Sequence, residues 1–361
     1  MKIAIGMNLQ KGPFGGGNQF GKALSEFLAS KNIEVVFTLK ERDIDIILLT
    51  ETRKWLKSCT FDMTDVAKYL LKKPDTLIVF RVNECDERKG VKIKLLNRLI
   101  VEGIKLADKV VFISGWLKNL FVSKSSSFIE KSLVIYNGAD TTIFNSTGYK
   151  KWDRKDTLRI VTHHWGGGWF KGFDVYLKLD ELIGEKYKNK VHFTFIGNIP
   201  KNVKFQNTEV ISPKSGKNLA DEIKKNHIYL TASINEPAGM HHIEGALCGL
   251  PLLYRNSGAL PEYCDGYGIS FNGVQDFEEK LEEMIERYDY FVEKVRDYNN
   301  TANKMCQGYY NLFLSLIRNK EDILKRRKLN RFSLYRYIIF TTILKKMLWM
   351  KEKISGLLFK R

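Results

Sequence analysis

A chain of 361 residues, 44% of them hydrophobic and 12% aromatic, is long enough to fill two domain cores. Five cysteines (Cys59, Cys85, Cys248, Cys264, Cys306) form an odd set without paired spacing, which excludes a disulfide scaffold and suits reduced thiols in a cytoplasmic protein. The net charge of +18 is unevenly placed: residues 318–361 carry fourteen Lys and Arg against three acids, a net of +11, so the basic character belongs mainly to a tail.

In chain order, residues 2–7 read as a buried strand rather than a secretory leader, because the apolar run enters a glycine-rich loop without a cleavage site. Within the loop at 10–20, Gly15, Gly16 and Gly17 precede a helix expected over 20–30, and consecutive glycines there let a ligand approach the backbone. The dinucleotide fingerprint fails, since Phe20 stands where its third glycine belongs. Short apolar runs at 34–39, 44–50 and 76–82, separated by helical or polar stretches, suit a parallel sheet with crossover helices. The third run ends in Arg81, Asn83, Glu84 and Asp86, and polar residues at the C-terminal end of a strand are where open α/β sheets place ligands. A helix over 97–106 and strands over 110–113 and 132–136 lead to Asn137-Gly138-Ala139-Asp140, and 146–156 has the composition of a linker.

The second half starts with a strand at 158–162 that runs into His163, His164, Trp165, three glycines, Trp169, Phe170, Lys171 and Gly172, followed by a helix over 174–183. Strands at 191–196, ending in Gly197, and at 209–212 precede a helix at 219–225. The chain is organised around 230–262: a strand, a turn through Asn235-Glu236-Pro237 and Gly239, a helix over 240–248, and a stop at Gly249 and Pro251. Glycine at 239 admits a ligand to the backbone, and free amides near Met240 favour an anion such as phosphate. Glu236 and Glu244, with seven residues between them, sit at the turn and about one helical turn further in, where each carboxylate can accept from a pair of sugar hydroxyls. The pattern describes a pocket for a sugar nucleotide. The adjacent pairs His163/His164 and His241/His242 cannot both face one ion from a regular element, and no His-Glu-x-x-His spacing occurs, so no metal site and no cofactor are expected. Helices over 277–298 and 301–317 follow.

Glu-Pro-x-Gly, the seven-residue Glu spacing, Cys248-Gly249-Leu250-Pro251 and Ser257-Gly258-Ala259-Leu260-Pro261-Glu262 together resemble the donor-binding segment of retaining family 4 glycosyltransferases, the glycosyl transferase group 1 type. The resemblance covers residues 1 to about 317 and implies the GT-B fold: two Rossmann-like domains with parallel sheets facing a central cleft. Residues 1–146 would be the acceptor domain, 157–298 the nucleotide-sugar donor domain, and 299–317 a helix crossing back to the first. It also implies that Glu244 binds ribose, that Glu236 lies near the transferred sugar and the phosphates, and that Lys171 neutralises the diphosphate. Backbone at Gly197 would be near the base, and Gly15–Gly17 would face the donor phosphates. Two family residues are missing. An arginine ahead of Lys171 is absent, leaving backbone amides, His164 or a base from the other domain to compensate. A histidine at the strand end after residue 80 is absent as well, leaving Arg81, Asn83, Glu84 or Asp86.

The reaction implied is metal-independent transfer of a sugar from a nucleoside diphosphate sugar to a glycan or lipid-linked acceptor, with retained configuration, in surface polysaccharide or glycoconjugate synthesis. A sugar-nucleotide epimerase and a silent nucleotide-sugar-binding subunit are alternatives on the same fold. The tail at 318–361 interleaves basic with large apolar residues at helical spacing, as an interfacial helix on an anionic membrane does. That ranks contact with the inner face of the cell membrane first, packing against the protein second, and nucleic acid as no partner.

Overall fold

The computed structural model describes residues 1–10, 12, 15–123 and 126–358; Lys11, Pro13 and Phe14 of the glycine-rich loop and positions 359–361 of the tail lie outside the described residues. The chain forms two compact units. One comprises Met1–Gln10, Gly21–Tyr136 and Cys306–Arg361, the other Lys11–Phe20 and Asn137–Met305. The glycine loop therefore groups with the second half of the sequence, and the tail with the first.

In chain order the first half runs β1 (Lys2–Ile5), α1 (Gly16–Ser30), β2 (Glu34–Val36), β3 (Ile46–Leu49), α2 (Met63–Leu70), β4 (Leu77–Val82), α3 (Leu95–Leu106), β5 (Lys109–Phe112), α4 (Gly115–Val122), α5 (Ser126–Ile129) and β6 (Ser132–Val134). Its strands form one parallel sheet in the order β2-β1-β3-β4-β5-β6, with Ala4 opposite Ile47, Leu48 opposite Val79 and Phe80 opposite Val110. Every residue of β3 and β4 is buried, which is why their apolar runs are continuous rather than alternating. The strand order reverses between β1 and β3, so the topological switch point of this sheet lies at their C-terminal ends and not at β4.

Onward come β7 (Leu158–His164), α6 (Phe173–Glu185), β8 (Val191–Gly197), β9 (Glu209–Ile211), α7 (Gly216–Ile223), β10 (Ile228–Thr231), α8 (His241–Leu247), β11 (Leu252–Arg255), α9 (Leu260–Cys264), β12 (Gly268–Phe271), α10 (Val274–Glu286), α11 (Tyr288–Val295), α12 (Ala302–Arg318), α13 (Lys320–Arg326) and α14 (Arg331–Leu358). The second sheet is also parallel, in the order β12-β11-β10-β7-β8-β9, over a core that includes Phe173, Tyr176, Phe193, Phe195, Leu230 and Phe277. Its switch point falls between β7 and β10, the two strands that lead into the Lys171 and Glu236 loops. The helix expected over 277–298 is two helices, broken at Arg287. α1 begins at Gly16 rather than near residue 20, so two of the three glycines lie in its first turn.

α14 lies on α2 and α3 within the first unit. Its inward stripe, Tyr337, Thr341, Leu344 and Leu348, follows helical spacing and is half polar. The polar members are satisfied: the Tyr337 hydroxyl donates to the Glu102 carbonyl at 2.9 Å, and Thr341 meets the Thr64 hydroxyl at 3.0 Å. Lys345 reaches the fully buried Asp62 at 2.5 Å, while Arg327, ahead of the helix, pairs with Asp108. Packing, placed second in the sequence reading, thus occupies one face of the tail helix.

Candidate functional site

The turn after β10 departs from ordinary backbone. Asn235 (φ 51°) and Ala238 (φ 150°) occupy the left-handed half of conformational space, which side-chain-bearing residues seldom adopt. Such strain persists only where surroundings impose it, and the partners are identifiable. The Asn137 side-chain amide donates to the Ala238 carbonyl at 2.9 Å, the Asn235 amide donates to the Ser257 hydroxyl at 2.9 Å, and the Ala259 amide donates to the Glu236 carbonyl at 2.8 Å. Gly258 (φ 64°) lies so close that a Cβ there would stand 2.4 Å from the Glu236 backbone, so the Glu236 turn leaves room for glycine alone at that position.

Glu236, 4% exposed, receives the Lys171 ammonium at 2.7 Å. Lys171 closes the short helical turn Trp169–Lys171; Gly172 (φ 100°) follows, where a Cβ would strike the Ala232 carbonyl at 2.4 Å. With the Ile234 amide donating to the Phe170 carbonyl at 2.8 Å, the Lys171 and Glu236 loops form one hydrogen-bonded pair at the switch point. Arg255, at the end of β11, pairs with Asp174 at the start of α6 and donates to the Ala232 carbonyl at 3.2 Å, bracing the same loops from behind.

Glu244, on α8, is 1% exposed and has one carboxylate oxygen 2.6 Å from His163 Nε2. A chain of bonds fixes that histidine: its backbone N–H donates to the Tyr229 hydroxyl at 3.2 Å, which lies 2.9 Å from Nδ1. With the hydroxyl donating to Nδ1, the ring proton sits on Nε2 and points at Glu244. The other oxygen, Oε1, is buried without a protein partner. An unpaired buried carboxylate oxygen is costly, and a ligand hydroxyl removes that cost.

Other residues singled out by the sequence are placed as follows. Gly16, at the start of α1, would collide with Met240 if it carried a Cβ (2.3 Å), so the glycine loop lies directly on the Glu236 turn. Gly197 (φ 148°) lets β8 close onto the His164 carbonyl, 1.9 Å from where a Cβ would be. Gly239 faces His241 Nδ1 in the same way, at 2.3 Å. His164, in contrast, is buried with its ring 2.7 Å from the Tyr176 hydroxyl and 4.7 Å from the His241 ring, so it is an interior group. Burial pushes His242 down to about 3, with both ring nitrogens lacking a hydrogen-bond partner, and drives His241 well below its usual value.

The residues after β4 belong to the first unit and are engaged elsewhere. Arg81 is 2% exposed and lies beside Tyr309 of α12. Glu84 joins Arg53 and Arg88, the latter at 3.2 Å. Asp86 accepts the Asn97 amide at 2.9 Å and donates its own amide to the Asn97 side chain at 2.8 Å, capping α3. Asn83, like Glu84, is partly buried. Sequence reasoning singled out the stretch Asn137-Gly138-Ala139-Asp140 without giving Asn137 a partner, and it missed His163 and Tyr229 as supports. His163 and Tyr229 carry no local signal, because their pairing exists only across the sheet.

Among the described residues no group of three or more His, Cys, Asp or Glu is placed to hold a metal ion, and no helix is long and apolar enough to cross a membrane. Residues 168–305 match the family model described as glycosyl transferases group 1. An uncharacterized glycosyltransferase of Methanocaldococcus jannaschii is 26% identical over 195 residues, covering 50% of each chain, so the match spans about half of that relative's length. Among solved structures, Anabaena HepE in complex with UDP-glucose superposes with a TM-score of 0.61 at 13% identity, covering 88% of this chain and 100% of that one. Sucrose-phosphate synthase of Thermosynechococcus elongatus gives 0.60 at 11% identity, covering 88% and 99%. The family match thus spans both site loops, and the two six-stranded parallel sheets are those of the GT-B fold of the solved neighbours.

Proposed function

We propose that the second unit binds a uridine diphosphate sugar and that the protein transfers the sugar, with retained configuration and without a metal ion, to a glycan or lipid-linked acceptor at a membrane. The observation that carries the donor reading is the Glu244 carboxylate, held at one oxygen by His163 while the other is buried and unpaired, next to a strained turn that pairs Glu236 with Lys171. Ribose hydroxyls would donate to Glu244. Lys171, poised on Glu236, would turn to the diphosphate and balance the charge that grows as it departs; the first turn of α1 and the backbone at Gly239 and Met240 flank the same place. Glu236, freed of its lysine, would orient the sugar, and Gly197 would admit the base to the end of β8. Support for the uridine nucleotide comes from the bound UDP-glucose of the Anabaena neighbour.

The acceptor side is carried by less. Asn83 is the strand-end residue of the first unit best placed for contact, since Arg81, Glu84 and Asp86 already serve the fold.

Thermal unfolding with UDP-glucose, UDP-galactose, GDP-mannose and NAD is the test. UDP sugars should raise the midpoint with wild-type protein and fail with Glu244→Ala. Stabilisation by NAD alone, or by no nucleotide, would overturn the reading. Sugar release or epimerisation with donor alone, without transfer to any supplied acceptor, would remove the transferase assignment while leaving the donor site in place.

A further inference from the structure

We propose that the groove between α3 and α14 is a lipid site: the outward face of α14 rests on an anionic bilayer, and one acyl chain of a bilayer lipid enters the groove. The groove is a cavity of about 540 Å³ floored by Val101, Phe340, Ile343, Leu344 and Met347, with Arg98 at its mouth. Arg98 is exposed and has no ion pair among the described residues, unlike Lys94 and Glu102 of the same wall, which pair with Glu87 and Lys105. A groove of this size takes a small ligand, and its apolar floor selects a hydrocarbon one.

The helix face beside it has matching chemistry. Phe332 (70% exposed), Ile339 (62%) and Ile354 (58%) recur at helical spacing on the side turned away from α2 and α3, and Ile343 (57%) joins that side to the groove it lines. Large aliphatic and aromatic groups on a continuous stripe mark a contact surface. Arg331, Arg336, Lys346 and Lys353 share that side, and residues 331–358 contain a single acid, Glu352, which is turned inward to the Trp55 indole at 2.9 Å. Pairing this face with a second copy would set cations against cations without a counter-charge. An anionic bilayer supplies both the negative charge and the hydrocarbon. The inference uses only the first unit and is independent of the donor site.

The full chain is mixed with phosphatidylcholine vesicles with or without phosphatidylglycerol, the latter carrying a photoactivatable group within its acyl chain, and vesicles are recovered by flotation. Protein should float with the anionic vesicles only, and labelled peptides should include Val101 of α3 in addition to the bilayer-facing residues of α14. Arg336→Gln with Lys346→Gln should weaken partition about 30-fold. Val101→Trp, which fills the groove, should abolish labelling of α3 while leaving flotation and labelling of the outward face of α14 in place, with an unchanged unfolding midpoint reporting an intact fold. Equal flotation with neutral vesicles, labelling of α14 without α3, or a dimer in solution that Ile343→Glu dissolves would each overturn the proposal.

Discussion

Two strand ends in this protein carry the same pair of residues, Asn83-Glu84 after β4 and Asn235-Glu236 after β10, and put them to different uses. After β4 the acids are consumed locally: Glu84 by two arginines, Asp86 by the first turn of α3. After β10 the backbone is strained at two non-glycine positions, and the buried polar groups nearby include Glu244 Oε1 and both nitrogens of His242, none with a partner. The position of each strand in its sheet accounts for the contrast. β10 borders the reversal of strand order, where loops diverge and leave a crevice, whereas β4 lies one strand away from the reversal in its own sheet. The buried carboxylate oxygen without a protein partner, Glu244 Oε1, accordingly lies beside the switch point of its sheet and not beside β4.

The sharpest way to break this contrast is to remove each acid in turn. Glu236→Ala should lower turnover roughly 10²–10³-fold with UDP-glucose as donor, if the charged turn acts in the transition state. Glu84→Ala should leave turnover near wild type, and equal losses in the two variants would erase the distinction.

Next in size is the backbone. Gly258→Val places a branched side chain at φ 64° against the Glu236 backbone and should cost about 2 to 3 kcal/mol in urea unfolding. Gly90→Ala, at φ 61° in the loop after β4, should cost only about 1 kcal/mol.

Acid should discriminate between the loops to a similar extent. His242 is held neutral by burial at about 3, against 6.5 when exposed, so the unfolded chain takes up a proton that the folded one refuses. Its contribution is complete above pH 6.5 and is lost as pH falls towards 3, about 2 to 3 kcal/mol between about pH 7 and about pH 4.5. Replacing it, as in His242→Phe, should flatten urea stability against pH over that window; an unchanged slope would assign the loss to other groups, His227 among them, which burial pushes down to about 4.

Smallest is Asp86→Ala, which removes a cap from α3 and should cost about 1 kcal/mol with UDP-glucose stabilisation unchanged.

Much of the second unit was legible because its information is local. The alternation of apolar runs with helical stretches gives a parallel sheet, and the spacing of Glu236, Gly239, Glu244 and Gly258 lies within one strand-turn-helix-strand segment. Less could be read where a residue's partner is remote. Nothing near His163 announces that it clamps Glu244, 81 positions away, and the Asn-Gly-x-Asp stretch marks Asn137 without naming Ala238, 101 positions on, as its partner. His164 is a related case: at a strand end it reads as a group for the diphosphate, and its contact with the Tyr176 hydroxyl is visible only in the fold. In the tail, composition hid which face packs inward. Tyr337 and Thr341 count as polar in any hydropathy reading, yet they face the fold because Glu102 and Thr64 receive their hydroxyls, which leaves the apolar stripe outside.

Lys345 makes the tail helix harder to dispense with than its peripheral location suggests. Asp62 caps α2 through the amides of Thr64 and Asp65, and α14 delivers the cation that its second oxygen faces in a site closed to water. Trimming the chain ahead of α14 would strand that negative charge in the interior of α2's first turn and bare the helical surfaces of α2 and α3. A shortened protein that precipitates would then report a wounded core rather than a lost anchor, which makes point changes on the solvent side the cleaner tool.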